Sequence, residues 1–128
     1  MLDTKVTMPL DIEPRLVIYS RFGDPRFYQI LKEMAELHAR KSQDYGLEED
    51  PLTNVRNAEE FGIPAWVGVM LRANDKMRRI KSMAHKGKLV NESLEDSLLD
   101  LANYSILALI LYREAKQEEI RGTSQTNR

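Results

Sequence analysis

The sequence contains no cysteine, only two histidines, and no excess of charge of either sign. The absence of cysteine excludes disulfides and thiolate metal sites, and it suits a reducing compartment. A formal net charge of −1 argues against a surface dedicated to duplex nucleic acid, because phosphate backbones select a basic excess. No apolar run has the length of a membrane span or the pattern of a secretory signal. We therefore expect a cytoplasmic protein without a membrane partner.

The composition is that of one globular domain. The 128 residues are 42% hydrophobic and 30% charged, which suffices for a core but falls short of the length at which chains divide. The pattern predicts an extended arm at residues 1–23, with one strand-like run at Leu16–Tyr19. A helical domain follows at residues 24–116, and a polar tail that frays occupies residues 117–128.

Three long helices and one or two short ones are predicted, so the fold class is an all-α bundle. Asp24 caps the first helix and Pro25 occupies its first position, and the helix ends near Tyr45. Pro64 opens the second helix and Gly87 ends it. Its apolar face is predicted to comprise Trp66, Met70, Ala73, Met77, Ile80 and Ala84.

The third helix is the most apolar part of the chain. Ser93 is predicted to cap it, with Asp96 three residues later facing the positive end of the helix dipole. From Leu98 to Tyr112 the helix is apolar on nearly every side, so we expect it to be buried nearly all round. A small bundle cannot cover that many faces, which predicts a homo-oligomer.

One narrow polar line interrupts this helix. Glu92, Asp96, Asp100 and Asn103 recur at helical spacing. Buried carboxylates one turn apart repel each other unless basic side chains or a metal ion neutralise them. Carboxylates without histidine or cysteine suit Mg²⁺, and the candidate ligands are Glu95, Asp96 and Asp100.

Basic residues on the other helices are candidates for phosphate contacts. The second helix carries a charged stripe beside its apolar face, formed by Arg72, Asp75, Lys76 and Arg79. The alternative for this stripe is an ion-pair lattice that only neutralises the carboxylates. Residues at the end of the first helix and in the long loop suit a ligand with phosphate and ring parts: Lys41, Asp44, Tyr45 and Asn54.

Four blocks of the sequence resemble a known family. They are His38–Tyr45, Pro51–Arg56, Gly68–Lys81 and Glu92–Tyr104. In order and spacing they resemble the phage-enriched nucleotide modification associated domain family over about residues 27–113. The resemblance implies a small phage or prophage protein of nucleotide metabolism, located in the host cytoplasm, without implying a reaction.

A second resemblance concerns the acidic motif alone. The run from Asp96 to Leu101 is similar to the third-helix motif of the all-α, MazG-like nucleoside triphosphate pyrophosphohydrolases, which hold Mg²⁺ over a triphosphate. That group carries several glutamates on an earlier helix, whereas the run Lys41–Asp44 has one acid. This smaller number of acids is compatible with a single metal ion, or with nucleotide binding without hydrolysis.

Our leading hypothesis is therefore a Mg²⁺-dependent nucleotide pyrophosphohydrolase. Asp96 and Asp100 hold the metal, and Asp44 or Glu95 completes its sphere or orients the attacking water. The stripe on the second helix binds the phosphates, and Tyr45 and Asn54 contact the base or sugar. A non-catalytic nucleotide-binding protein and a purely structural helical oligomer remain the alternatives.

Overall fold

The computed structural model describes residues 22–45, 52–87 and 93–126. It contains three α-helices, α1 (Pro25–Tyr45), α2 (Ala65–Lys86) and α3 (Leu94–Thr126). Two short 3₁₀ helices, Thr53–Val55 and Asn57–Phe61, precede α2. No strand occurs in these described ranges, and the all-α prediction is confirmed. The run Leu16–Tyr19 lies outside them.

The chain divides into two compact units, Met1–Ala39 and Arg40–Arg128, with the boundary inside α1. In the first unit, Asp24 caps α1 as predicted, because its Oδ1 accepts the backbone N–H of Arg26 at 2.9 Å. The Arg26 guanidinium and that N–H hold the pKa of Asp24 below its ordinary value. On the predicted apolar face Met34 is buried, whereas Phe27 and Ile30 are exposed.

The helix ends of the second unit follow the sequence signals. Ser93 Oγ accepts the backbone N–H of Asp96 at 3.0 Å, which satisfies one of the unpaired donors at the start of α3. Gly87 ends α2 in the left-handed conformation at φ 84°, and its N–H donates to the Met83 carbonyl. A residue with a Cβ is strained there, so glycine supplies the stop.

Helices α2 and α3 form an antiparallel pair that contains the core. Trp66 near the start of α2 stacks edge-on against Tyr112 far along α3, with the ring centroids 5.6 Å apart. Further along α2, Lys76 meets Asp100, so the two helices run in opposite directions. The buried cluster between them and the first 3₁₀ helix consists of Val55, Ala65, Val69, Leu107, Ala108 and Leu111.

The buried face of α2 is rotated from the predicted one. Of the predicted face, Ala73 is buried as expected, but Met70 and Met77 are exposed, and Ala65 and Val69 are buried in their place. The prediction followed the helical spacing of the apolar residues. The structure instead buries the line with small side chains, because those let the two helices approach closely.

The expectation that α3 is buried nearly all round is wrong for the single chain. Leu98, Ile106, Leu109, Ile110 and Tyr112 are all substantially exposed. The helix is also longer than predicted, since it continues through the polar tail to Thr126. Good helix formers and an i,i+3 ion pair between Glu118 and Arg121 support this extension.

The linker segment, residues 52–63, is fixed to the helix pair at two points. Arg56 donates to both carboxylate oxygens of Glu114 on α3, Nη1 to Oε1 at 2.8 Å and Nη2 to Oε2 at 3.1 Å. Ala58 lies so close to Gly68 of α2 that a Cβ on the glycine would stand 2.5 Å from the Ala58 Cβ. The linker segment is therefore a packed part of the second unit.

These contacts define two sides of the helix pair. The linker side is the one that carries Gly68 and Glu114. The apolar side is the one that carries Trp66 and Tyr112, which lie roughly 160° away from Gly68 and Glu114 around their helices by helical geometry. The candidate polar residues therefore fall on the linker side, and part of the exposed apolar residues, such as Met70, fall on the apolar side, whereas others, such as Ile110, do not.

Gly68→Ala is expected to destabilise the fold by about 1–3 kcal/mol, because the new methyl group overlaps Ala58. In an unobstructed helix the same change stabilises by about 1 kcal/mol, so the sign of the effect is diagnostic. The measurement is the free energy of unfolding in urea. Adding Ala58→Gly in the same chain removes the overlapping atom and should restore stability. A Gly68→Ala protein that is more stable than wild type would contradict the observed packing.

Candidate functional site

The candidate site is centred on Asp100 of α3. Its carboxylate accepts from Lys76 of α2, with Nζ 2.9 Å from Oδ2, and from Lys41 of α1, with Nζ 3.4 Å from Oδ1. The side chains of Asp100 and Lys76 are only 17% and 13% exposed, while Lys41 is about half exposed. All three residues belong to the second compact unit. We call them the Asp100 triad.

The triad shows how one buried carboxylate in the polar line of α3 is neutralised. A carboxylate so far removed from water requires a nearby positive charge, and here two ammonium groups supply it. Two lysines and one aspartate leave the triad with one net positive charge. The Asp100 carboxylate holds both ammonium groups close together, an arrangement that can donate hydrogen bonds to an anion.

Other candidates lie around the triad on the linker side. Helical spacing continues from Gly68 to Arg72, Asp75 and Arg79 on α2. On α3 it runs from Glu114 back to Asn103, Asp100 and Asp96. Arg72, Asp75, Arg79 and Asp96 are exposed, and Asn103 is half-buried. Arg79 already has an interaction with another residue. The structure therefore brings these residues to one side of the helix pair.

Two predicted site residues, Glu95 and Asn54, are not gathered at the triad. Glu95 is exposed and lies about 100° around α3 from Asp96, so it leaves the linker side. Asn54 is half-buried beside Val55, which packs on Leu107 and Leu111. That part of α3 is about 10–16 Å along the helix from Asp100. The side chain of Tyr45 lies outside the described part of the chain.

Asp44 occupies an intermediate position. It is exposed and follows Lys41 by three residues on α1, so the two side chains lie on neighbouring positions of one helix face. Its carboxylate is therefore near the half-exposed end of the triad, within the last turn of α1.

The acidic residues form only part of a metal site. In the ranges that the structure describes, no group of three or more histidine, aspartate or glutamate side chains is close enough to hold a metal ion. Asp96 and Asp100 are one turn apart on one side, and Mg²⁺ often binds through one or two carboxylates and substrate phosphates. Both oxygens of Asp100 already accept from lysines, so these residues fit Mg²⁺ only if a lysine releases one oxygen.

Sequence reasoning paired the stripe that contains Lys76 with the carboxylates of α3 as its ion-pair alternative, and the Lys76–Asp100 contact is such a pair, but it did not pair Lys41 with Asp100. Lys41 and Asp100 are 59 residues apart, and no local pattern encodes that contact. It also missed Gly68 and Glu114, which position the linker segment. A glycine within the first turns of an apolar helix was the available signal, since it often marks the close approach of another backbone.

One comparison with known proteins matches part of the chain. Residues 64–111 match the family model of nucleotide modification associated domain 1. The resemblance predicted from the sequence is confirmed over that range, which holds α2, the first part of α3 and the residues Arg72, Lys76 and Asp100. The comparisons with curated proteins and with solved structures gave no match. The resemblance to the MazG-like hydrolases stays a prediction.

One further observation bears on partners. None of the helices in the described ranges combines the length and apolar character required to cross a bilayer.

A double-mutant cycle tests the Asp100–Lys76 contact. We expect Asp100→Asn and Lys76→Met to show a coupling free energy of about 1–3 kcal/mol in unfolding experiments, because both groups are largely removed from water. The matched control is the exposed pair Glu118 and Arg121 on the same helix α3, for which Glu118→Gln and Arg121→Met should couple by about 0.5 kcal/mol or less. Equal coupling in the two cycles would show that the buried contact has no special stability.

Proposed function

We propose that this chain binds a nucleotide through its phosphate groups on the linker side of the helix pair. The observation that carries the proposal is the Asp100 triad, in which one carboxylate gathers two ammonium groups from separate helices. The family match over residues 64–111 supports a nucleotide as the ligand, since its description concerns nucleotide modification. A role in phage or prophage nucleotide metabolism stays part of this proposal.

In this proposed site each basic side chain has a separate role in binding. Lys41 and Lys76 provide point charges that Asp100 holds close together, and each keeps further N–H donors for an anion. Arg72 lies one turn before Lys76, is exposed, and supplies a planar fork for a second phosphate group. Asn103 presents a half-buried amide one turn after Asp100. Contacts from Tyr45 and Asn54 to the base or sugar remain proposals.

Binding is expected to depend on Arg72 much more than on an equally exposed cation elsewhere on α2. Arg72→Ala should weaken affinity for a nucleoside triphosphate by about 1–3 kcal/mol, the scale of a hydrogen bond to a charged group. The measurement is isothermal titration calorimetry.

The matched control is Lys81→Ala, which removes one positive charge from the same helix at an exposed position away from the linker side. The control should change affinity by only a few tenths of a kcal/mol, because exposed charges are screened by salt. Equal losses from both variants would mean that net charge alone attracts the nucleotide. Failure of wild-type protein to bind any nucleotide would favour the purely structural alternative.

The second candidate function is Mg²⁺-dependent release of pyrophosphate from a nucleoside triphosphate. It is favoured by the exposed carboxylate of Asp96, one turn before Asp100 on the linker side. Asp96 and Asp100 would hold the ion, which would template the phosphates and offset developing charge. Lys41 and Lys76 would then turn toward the phosphates, and Asp44 would orient the attacking water.

Substitutions of two adjacent acidic residues on α3 distinguish hydrolysis from binding. If Asp96 holds Mg²⁺, Asp96→Asn should lower kcat at least about a hundredfold, since it removes a charge aimed at the metal. Glu95→Gln, one residue away but off the linker side, should leave kcat within about twofold. The assay follows pyrophosphate release across a panel of nucleotides. Intact nucleotide recovered from heat-denatured wild-type complex, for every nucleotide and divalent ion tested, would reject the hydrolase and leave the binding protein.

A further inference from the structure

The two lysines of the Asp100 triad contact the carboxylate differently. The Lys76 ammonium group lies 2.9 Å from Oδ2, and the Lys76 side chain is 13% exposed. The Lys41 ammonium group lies 3.4 Å from Oδ1, and the Lys41 side chain is 46% exposed. A strong hydrogen bond between charged groups measures roughly 2.7–2.9 Å, so only the Lys76 contact has that length. Lys41 is therefore the more weakly held cation, and water already reaches it.

Only one of these lysines can leave Asp100 while no metal ion is bound. The Asp100 side chain is 17% exposed, so its charge would be strongly unfavourable without any cationic partner. As long as Lys76 stays in contact with Oδ2, the carboxylate remains neutralised. Lys41 can then turn away without leaving a buried charge unpaired, because its own ammonium group is half exposed to water.

A phosphate group would compete with Asp100 for the N–H donors of Lys41. An ammonium group has three such donors on a flexible stem, and both anions offer it oxygen acceptors. A phosphate group carries more negative charge and more acceptor oxygens than the one carboxylate oxygen that Lys41 contacts. A phosphate group bound at this site would therefore draw Lys41 away from Oδ1.

We propose that Asp100 is an internal competitor of the ligand, which phosphate displaces from Lys41 but not from Lys76. This inference rests on the nucleotide-binding function proposed above and concerns the regulation of that site. Lys41 is then the cation that contacts the ligand, and Lys76 is a positioning residue that keeps Asp100 neutralised during the exchange. Since Lys41 lies near the end of α1, the ligand also competes with the attachment of this helix end to α3.

The first test is the direction in which Asp100→Asn changes phosphate affinity. The probe is inorganic tripolyphosphate in the presence of EDTA, so that neither a base nor a metal ion contributes, and the measurement is isothermal titration calorimetry. Asp100→Asn should bind the probe at least about fivefold more tightly than wild type, because Lys41 no longer has to leave a carboxylate.

The matched control is Glu118→Gln, which also removes one ion-paired carboxylate from α3, at an exposed position. It should change the affinity for tripolyphosphate less than about twofold, because exposed charges are screened by salt. Equal gains from Asp100→Asn and Glu118→Gln would mean that net charge alone sets the affinity, and would overturn the inference.

Two further outcomes separate this inference from the proposed function. If wild-type protein binds tripolyphosphate and Asp100→Asn binds it equally or more weakly, the competition is refuted while the binding function stands. If neither protein binds tripolyphosphate or any nucleoside triphosphate, the binding function fails, and the inference fails with it. Circular dichroism checks that each variant keeps its helix content.

A measurement on wild-type protein removes the dependence on a folded Asp100→Asn variant. NMR of ¹⁵N-labelled lysine side chains detects ammonium groups, and Lys41→Arg and Lys76→Arg identify the two signals. On titration with tripolyphosphate the Lys41 Nζ signal should shift while the Lys76 Nζ signal keeps its position, because only Lys41 changes its partner. A shift of the Lys76 signal as large as that of Lys41 would contradict the proposal.

Discussion

The structure depends on the need to neutralise a carboxylate at the edge of a helix interface. Asp100 follows the buried Ser97 by three residues on α3, and its side chain is largely removed from water. An unpaired carboxylate there would oppose the packing of α2 on α3. Lys76 supplies a charge from the facing helix, and Lys41 brings in the end of α1. One electrostatic requirement thus connects α2, α3 and the part of α1 that belongs to the second unit.

The two sides of the α2–α3 pair differ in what covers them and in which side chains they expose. On the linker side, Gly68 gives the linker segment room to pack, and the Glu114 carboxylate binds Arg56. The linker segment therefore covers that side near Val55 and Leu107, while the Asp100 triad lies further along the helix pair. On the other side no described segment covers Met70 or Leu109, which stay exposed.

The sequence predicted the helices well because their signals are local. Asp24, Ser93 and Gly87 act on the backbone within four residues, and each behaves as expected. The rotation of α2 was predicted only in part, since Ala73 is buried as expected, whereas Ala65 and Val69 are buried in place of the predicted methionines. Among the site residues, the pattern found the polar line and the charged stripe but could not pair Lys41 with Asp100 across 59 positions. Contacts between residues so far apart in the sequence arise from tertiary packing and produce no periodic pattern in the sequence.

The central claim is that phosphate groups bind at the Asp100 triad. Its most direct test is an NMR titration of ¹⁵N-labelled protein with a nucleoside triphosphate and, in parallel, with the matching nucleoside. The account predicts that the triphosphate shifts amide resonances around Arg72, Lys76 and Asp100, and that the nucleoside barely affects them. Shifts concentrated on the apolar side, or equal shifts from nucleoside and triphosphate, would contradict it.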